Sequence, residues 1–167
     1  MEPFETNRLL LRPLTITDLD DLHNLYSRLR VMKYITGNAR SYQKTGERLR
    51  HHISDHQQYG FGLCAAILKE TGEMIGRCGM EPVEEDHGME GDIAWMFLPE
   101  YWGQGLATEF GTAQIEYGFK RLGLVRIFAT ANRDNLASIR VMEKLGMRLA
   151  GASDQRVEYE IFPDSAT

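Results

Sequence analysis

The chain has only two cysteines, five prolines and no long hydrophobic run. Its longest uncharged apolar run, Phe61 to Leu68, is far shorter than the roughly 20 residues that a membrane-spanning helix needs. The first five residues, Met-Glu-Pro-Phe-Glu, are acidic and unlike a signal peptide. Cys64 and Cys78 fall on consecutive predicted strands and are expected to be reduced core thiols, since two cysteines in a chain of this size rarely form a disulfide. These absences predict a cytoplasmic protein with no membrane segment.

An excess of positive charge is also missing. The chain carries 19 Lys and Arg against 24 Asp and Glu, which gives a net charge of -5. A protein that binds nucleic acid usually shows a basic face or stripe, whereas here the two signs alternate along most of the chain. Binding to nucleic acid is therefore not expected. One anionic cofactor held at a local site remains compatible with this composition.

The periodicity of the apolar residues predicts one domain, residues 1–167, with the order β-α-α-β-β-β-α-β-α-β-β. The predicted strands are 7–14, 61–69, 73–83, 90–98, 125–131, 147–152 and 156–162. The predicted helices begin at Thr17, at Ser41 or Tyr42, at Leu106, and at Asp134 or Asn135. A strand-helix-strand unit makes strands 90–98 and 125–131 a parallel pair in an otherwise antiparallel sheet. The result is an α+β fold of about seven strands and about four helices, unlike a doubly wound nucleotide fold.

The stretch Tyr101-Trp-Gly-Gln-Gly-Leu-Ala-Thr-Glu109 lies between a predicted strand and a predicted helix. Gly103 and Gly105 can adopt positive φ and let the main chain approach a ligand, while the free N–H groups of the first helical turn point to the same place. Such a turn binds phosphate through backbone dipoles. The same residues are also compatible with a tight strand-to-helix turn that binds nothing.

Two common phosphate-binding motifs are excluded by the residues around this stretch. A P-loop places Lys after its last glycine, whereas Gly105 is followed by Leu106. A dinucleotide fold places an acidic residue at the end of the next strand, whereas that strand ends in Thr130-Ala131-Asn132. The remaining possibility is a pyrophosphate bound by the backbone, with an extended tail running back along the strand.

The stretch Trp102-Gly-Gln-Gly-Leu-Ala107 resembles the acetyl-CoA pyrophosphate loop of the GNAT N-acetyltransferases, with Trp102 where that family usually has Gln or Arg. Three further stretches resemble the branch of ribosomal-protein N-terminal (alanine or serine) acetyltransferases. They are Glu5-Thr-Asn-Arg-Leu-Leu-Leu-Arg12, Val31-Met-Lys-Tyr-Ile35 and Asn135-Leu-Ala-Ser-Ile-Arg-Val-Met-Glu-Lys-Leu-Gly-Met147. The resemblance covers nearly the whole chain and implies an α/β three-layer sandwich in which the parallel pair splays apart.

The resemblance also implies where acetyl-CoA binds, as a co-substrate and without a metal. The pantetheine arm would lie in the splay against the main chain of Met96 and Phe97, and Asn132, Asn135 and Ser138 would face its other side. The loop residues that would surround the pyrophosphate are Trp102, Gly103, Gln104, Gly105, Leu106, Ala107 and Thr108. Asn135 could instead be only a helix cap, and Ser138 only a surface residue.

The resemblance implies acetyl transfer to a primary amine by direct attack in a ternary complex. Many relatives protonate the leaving thiolate with a Tyr, but the matching residue here is Met142, so Ser138 or solvent is expected to replace it. The general base is expected to be a carboxylate, with Glu81 favoured over Glu84, Glu90 and Asp92 because it ends a predicted strand beside an acidic loop, 81–88. The missing Tyr also leaves open a non-catalytic acyl-CoA-binding module. Far weaker support exists for an interaction protein without a cofactor.

The acceptor is less well defined. The acidic loop and the net charge favour a cationic amine, but ribosomal N-termini, amino acids, polyamines and amino sugars all remain open. The C-terminal edge strands would allow a homodimer without requiring one. His52 and His56 have the i, i+4 spacing of a metal pair, but no cysteine or acidic cluster completes a site. That helix face is therefore expected to be solvated.

Overall fold

The computed structural model describes residues 4–163, so the two ends of the expected 1–167 domain lie outside the described residues. The strands are β1 (Phe4–Glu5), β2 (Leu9–Pro13), β3 (Leu63–Leu68), β4 (Met74–Glu85), β5 (Gly88–Phe97), β6 (Arg126–Asn132), β7 (Arg148–Ala152) and β8 (Arg156–Ile161). The helices are α1 (Leu19–Tyr26), α2 (Leu29–Met32), α3 (Tyr42–Tyr59), α4 (Leu106–Lys120) and α5 (Leu136–Lys144). No helix among these residues is long and apolar enough to cross a membrane.

The strands form one sheet in the order β1-β2-β3-β4-β5-β6-β8-β7. Every neighbouring pair is antiparallel except β5 and β6, which confirms the predicted mixed sheet with one parallel pair. Within residues 4–163 there are eight strands and five helices, against about seven and about four expected. The additional elements are β1, of two residues, and α2, of four, which are too short for a periodic signal.

Helices cover both faces of the sheet, so the fold has the three layers that the resemblance implies. Alternate residues of each strand point to opposite faces, as Leu9 and Leu10 of β2 illustrate. One apolar cluster packs the sheet against α4 and α5 and includes Phe110 and Met142. The other packs it against α1, α2 and α3 and includes Tyr26. Cys64 on β3 and Cys78 on β4 lie opposite each other in the strand register, and both are buried free thiols.

The parallel pair is splayed. Strands β5 and β6 are in register only from Glu90 to Asp92 on β5, opposite Arg126 to Phe128 on β6. Beyond this point β5 continues to Phe97 paired with β4 alone, while β6 continues to Asn132 paired with β8. One side of each strand is therefore left without a ladder partner, which opens a cleft in the middle of the sheet.

The expectation of an acidic loop from 81 to 88 is wrong. Strand β4 continues to Glu85, and β5 begins at Gly88, so the acidic residues form the arms of a hairpin. Pro82 is tolerated because β4 has no partner on the β3 side beyond Gly79, and a proline can occupy such an edge. Glu81 therefore lies inside a strand, directly opposite Asp92, and not at a strand end.

Candidate active site

The glycine-rich stretch forms an open turn at the end of β5. Gly103 and Gly105 both take left-handed backbone angles, with φ of 73° and 77°, and α4 begins at Leu106. A Cβ atom added at Gly105 would lie no closer than 3.7 Å to another group, the Arg8 Nη2 atom, and one added at Gly103 would meet nothing. The protein therefore leaves the space in front of this helix N-terminus free for a ligand.

Arg8 and Glu109 fix this turn to the start of β2. The Glu109 carboxylate accepts hydrogen bonds from the Thr6 hydroxyl at 2.6 Å, the Arg8 N–H at 2.7 Å and Arg8 Nε at 2.7 Å. Arg8 Nη1 also donates to the Gln104 carbonyl at 2.9 Å. Burial alone would raise the pKa of Glu109, but these bonds from Thr6 and Arg8 outweigh it and hold the pKa below its usual value.

We expect Glu109→Gln to destabilise the fold by about 1–3 kcal/mol near neutral pH, because the charge-assisted bonds from Arg8 and Thr6 are weakened. Since the folded pKa of Glu109 is depressed, this contribution is present above its unfolded pKa of about 4.3 and disappears as the pH falls through the folded value. Thermal unfolding at several pH values measures it. Glu116→Gln, in an exposed pair with Lys120 on the same helix, is the control and should change little. Equal effects of the two substitutions would contradict this role for Glu109.

A cavity of about 550 Å³ lies at the splay, between the glycine turn and α5, and is called the larger cavity below. It is lined by most of the residues that the sequence predicted for the cofactor: Met96, Phe97, Trp102, Gly103, Gln104, Gly105, Leu106, Ala107, Thr108, Asn135 and Ser138. Asn132 is not among its lining residues, because its side chain turns back to accept a hydrogen bond from the Asp134 N–H at 2.9 Å. The structure thus brings together every predicted cofactor residue but one.

The main-chain groups that face the splay belong to alternate residues of β5. The Val125 N–H donates to the Met89 carbonyl at 3.0 Å, so odd-numbered residues of β5 point toward β6. Trp95 and Phe97 share this direction, whereas the main chain of Met96 pairs with Arg77 on β4. Trp102 already uses one of these groups, since its indole Nε1 donates to the Phe97 carbonyl at 2.8 Å.

Helix α5 presents Asn135 and Ser138 to the larger cavity. Asn135 caps the helix by accepting the Ser138 N–H at 3.3 Å, and its Nδ2 donates to Ser138 Oγ at 3.0 Å. Ser138 therefore keeps its own hydroxyl proton free to donate into the cavity. Met142, one turn later, is 2% exposed and packs in the core with Phe110. Asn135 therefore both caps the helix and lines the larger cavity.

Four basic side chains also line the larger cavity, and none of them was predicted from the sequence. Arg30 and Lys33 come from α2 and the residue after it, and Arg140 and Lys144 come from the exposed side of α5. The Arg30 guanidinium lies 5.0 Å from the centre of the Trp102 ring. Coenzyme A carries a pyrophosphate and a further phosphate. An open helix N-terminus together with basic residues on both walls therefore fits this group.

A family model described as an acetyltransferase (GNAT) domain matches residues 8–148. The chain belongs to the GNAT acetyltransferase family. The match runs from the start of β2 through α5 and so includes the glycine turn and both walls of the larger cavity. With named N-acetyltransferases among its relatives, the protein is an acetyl-CoA-dependent N-acetyltransferase.

Several named proteins are similar over most of their length. The uncharacterized N-acetyltransferase YnaD of Bacillus subtilis is 34% identical over 87% of this chain and 82% of its own length. The spermidine N(1)-acetyltransferase of Escherichia coli is 27% identical over 84% of this chain and 73% of its own. The crystal structure of a GNAT-family acetyltransferase from Bacillus anthracis has a TM-score of 0.84 at 28% identity, covering 97% of this chain and 99% of that one.

The resemblance to the ribosomal-protein branch is confirmed at the level of the fold. The structure of a ribosomal L7/L12 alpha-N-protein acetyltransferase in complex with coenzyme A has a TM-score of 0.84 at 19% identity. The match covers 98% of this chain and 99% of that one.

A second cavity of this acetyltransferase, of about 480 Å³, lies on the face of the sheet that carries α1 and α3 and is called the smaller cavity below. Ile35 and Met96 line both cavities, so the two meet there. The remaining lining residues of the smaller cavity are Tyr26, Met32, Arg40, Lys44, Glu47, Arg48, His51 and Arg77.

A polar chain leads from the smaller cavity to Glu81. Arg77 Nε donates to the Tyr26 hydroxyl at 3.0 Å, and that hydroxyl lies 3.3 Å from His52 Nε2. His52 Nδ1 lies 3.8 Å from Glu81 Oε1, beyond hydrogen-bond distance. Glu81 also forms an ion pair with Arg48.

The expectation of a solvated histidine face on α3 is wrong for His52, which is fully buried. Burial, reinforced by the nearby guanidinium of Arg77, lowers the pKa of His52 to about 2, so the ring is neutral. His56 packs on Leu63, whose carbonyl lies 3.1 Å from its Nε2. No group of three or more His, Cys, Asp or Glu within residues 4–163 could hold a metal.

Of the carboxyl groups near the splay, that of Asp92 has the pKa shifted furthest from its usual value. Burial, together with repulsion from Glu81 across the β4–β5 pair, raises its pKa to about 7, against attraction from Arg77. Asp92 lies opposite Phe128 in the last registered pair of β5 and β6, where the splay opens. Of the other predicted candidates, Glu90 is buried in a cluster with Arg126, at 3.0 Å, and Glu84 is exposed near the end of β4.

Proposed function

We propose that this acetyltransferase transfers the acetyl group to a primary amine by direct attack in a ternary complex, with acetyl-CoA in the larger cavity and the amine in the smaller one. The observation that supports this arrangement most strongly is that the two cavities meet at Met96 and Ile35. Donor and acceptor can therefore bind together in adjoining cavities without a covalent enzyme intermediate. The bound cofactor would supply a thioester whose carbonyl carbon is open to attack.

Asp92 is the general base in this proposal, and Glu81, which the sequence favoured, supports it. A base that works near neutral pH needs a pKa close to 7, which Asp92 has. Glu81 is already engaged by Arg48, and its negative charge helps to hold the pKa of Asp92 high. Asp92 lines neither cavity, so it would accept the ammonium proton of the acceptor through water and leave a neutral amine.

Backbone N–H groups of Trp95 and Phe97 face the splay and are suited to stabilise negative charge on the acetyl oxygen. Ser138 is suited to protonate the departing sulfur, because its hydroxyl proton is free. Solvent can share that second role, since a thiolate leaves readily.

We expect Ser138→Ala to lower kcat by about tenfold or less, because only part of the leaving-group protonation is lost. Initial rates of thiol release at saturating acetyl-CoA measure this. Ser153→Ala, in the exposed β7–β8 turn, is the control and should behave as the wild type. A loss of kcat of several thousandfold would mean that Ser138 is an indispensable acid and would contradict the shared role.

The proposed function is tested by acceptor-dependent release of free CoA thiol across amino acids, polyamines, amino sugars and N-terminal peptides. Rates measured while both substrates are varied should give intersecting double-reciprocal lines, as a ternary complex requires, whereas parallel lines would indicate a covalent intermediate. The second candidate, a non-catalytic acyl-CoA-binding module, is favoured by the buried apolar Met142 where a proton donor is usual. It predicts CoA binding by calorimetry with no acceptor-dependent release.

A further inference from the structure

The smaller cavity is strongly cationic, although the protein as a whole has a net charge of -5. Its lining holds four side chains that are positively charged at neutral pH and one carboxylate, Glu47. The four are Arg40, Lys44, Arg48 and Arg77. Among residues 4–163, Arg48 is the only one of the four with a close acidic partner, Glu81, which does not itself line the cavity.

Arg77 lines this cavity and is only 9% exposed. Its Nε is used by Tyr26 at 3.0 Å, while its Nη1 is buried and has no hydrogen-bond partner. No ion pair joins Arg77 to a carboxylate within the described residues 4–163. Glu81 and Asp92 interact with it only at longer range, and a buried guanidinium without a close ion-pair partner or a full set of acceptors is costly. A ligand carboxylate in the cavity would supply acceptors that Tyr26 alone does not provide.

The surrounding contacts hold this guanidinium in place. The Tyr26 hydroxyl that accepts Arg77 Nε is itself fixed by His52, and the Tyr26 ring lies 4.7 Å below the Arg40 guanidinium. Met96, directly opposite Arg77 in the β4–β5 register, separates this position from the larger cavity. An anion on Arg77 would therefore lie on the acceptor side of the splay.

We infer that the acceptor is an amine that also carries a carboxylate, and that Arg77 binds this carboxylate in the smaller cavity. This inference rests on the proposed function, and it replaces the cationic acceptor that the sequence favoured. The acids of residues 81–88 that suggested a cation are partly occupied, since Glu81 pairs with Arg48. A polyamine such as spermidine would place its positive charges against Arg40, Lys44 and Arg77, which disfavours it.

The test compares amines that differ only by a carboxylate: lysine with cadaverine, phenylalanine with phenethylamine, and 4-aminobutyrate with propylamine. Wild-type kcat/KM for thiol release should be about tenfold or more higher for the carboxylate member of at least one pair. In Arg77→Met this ratio should fall to about one, and in Arg77→Lys, which keeps the charge and loses the fork, it should be intermediate. Lys120→Met removes a cation from the exposed side of α4 and should leave the ratio unchanged.

Equal rates within every pair, faster reaction of the plain amines, or a ratio that survives in Arg77→Met would overturn the inference. Preference for 2-aminoethylphosphonate over β-alanine would mean that the site binds a phosphate-like group and not a carboxylate, and would also overturn the inference. Folding of each variant is checked by thermal unfolding and by CoA binding. If no acceptor releases thiol, the proposed function fails separately. Calorimetry of the same pairs on CoA-loaded protein then decides: carboxylate binding that depends on Arg77 supports the inference, and its absence refutes it.

Discussion

Gly105→Glu should weaken CoA binding by about 100-fold or more while leaving the fold intact. A glutamate here would place a carboxylate at the helix N-terminus, where the amides are free to bind an anion, so it would repel the pyrophosphate and occupy its space. The fold can accept the side chain, because an added Cβ meets nothing closer than Arg8 Nη2 at 3.7 Å. Isothermal titration with CoA measures the affinity.

The matched control for this substitution is Gly72→Glu. Gly72 has nearly the same backbone angle, φ of 75°, and also has free space around it, but it lies in the β3–β4 turn away from both cavities. The two variants therefore carry the same charge change and similar backbone strain, of about 1 kcal/mol. Weakened binding in Gly105→Glu alone locates the pyrophosphate at the glycine turn. Unchanged affinity in that variant would put the cofactor elsewhere.

Asp92→Asn should lower kcat/KM by about 100-fold or more, because the proton of the acceptor ammonium loses its receiver. The pH dependence of the rate identifies Asp92 as the base more specifically than the loss of activity does. Asp92 has a pKa of about 7 and acts as a base only when it is deprotonated, so wild-type activity should rise through that pH and level off above it. The Asp92→Asn variant should lack this rise in activity, called the limb below. Its pH dependence should show only the titration of the acceptor amine. Rates of thiol release across the pH range measure both effects.

Two further variants separate Asp92 from its neighbours. Glu84→Gln, on the exposed part of the same hairpin, should keep the limb near pH 7. Glu81→Gln removes the repulsion that helps to raise the pKa of Asp92, so its limb should move to lower pH. If Glu81→Gln abolished this rise in activity near pH 7 while Asp92→Asn retained it, the base would be Glu81 and not Asp92.

The sequence was sufficient where the signal is local. Gly103 and Gly105, with an apolar strand before them and helical spacing after them, predicted the turn, and the structure gives both glycines positive φ. The parallel pair followed from a strand-helix-strand unit in the same way. The end of strand β4 was predicted wrongly. Residues Glu81 to Glu85 have the polar composition of a loop, but pairing with β5 keeps them in a strand.

The acceptor side could not be predicted, because its residues meet only in the folded chain. Tyr26, His52 and Arg77 are separated by up to 51 positions, and each has an ordinary local context. The change from Glu81 to Asp92 as base has the same origin. Both carboxylates were candidates in the sequence, but burial and the opposing charge that distinguish them arise from the β4–β5 register.

A crystal structure with CoA and a carboxylate-bearing amine is the most direct test of the central claim, that donor and acceptor meet across Met96. We expect the pyrophosphate on the amides of residues 103–108, the arm in the splay against β5, and the acceptor in the smaller cavity with its carboxylate on Arg77. Cofactor outside the splay, or an acceptor bound on the same side as CoA and away from Asp92, would contradict it.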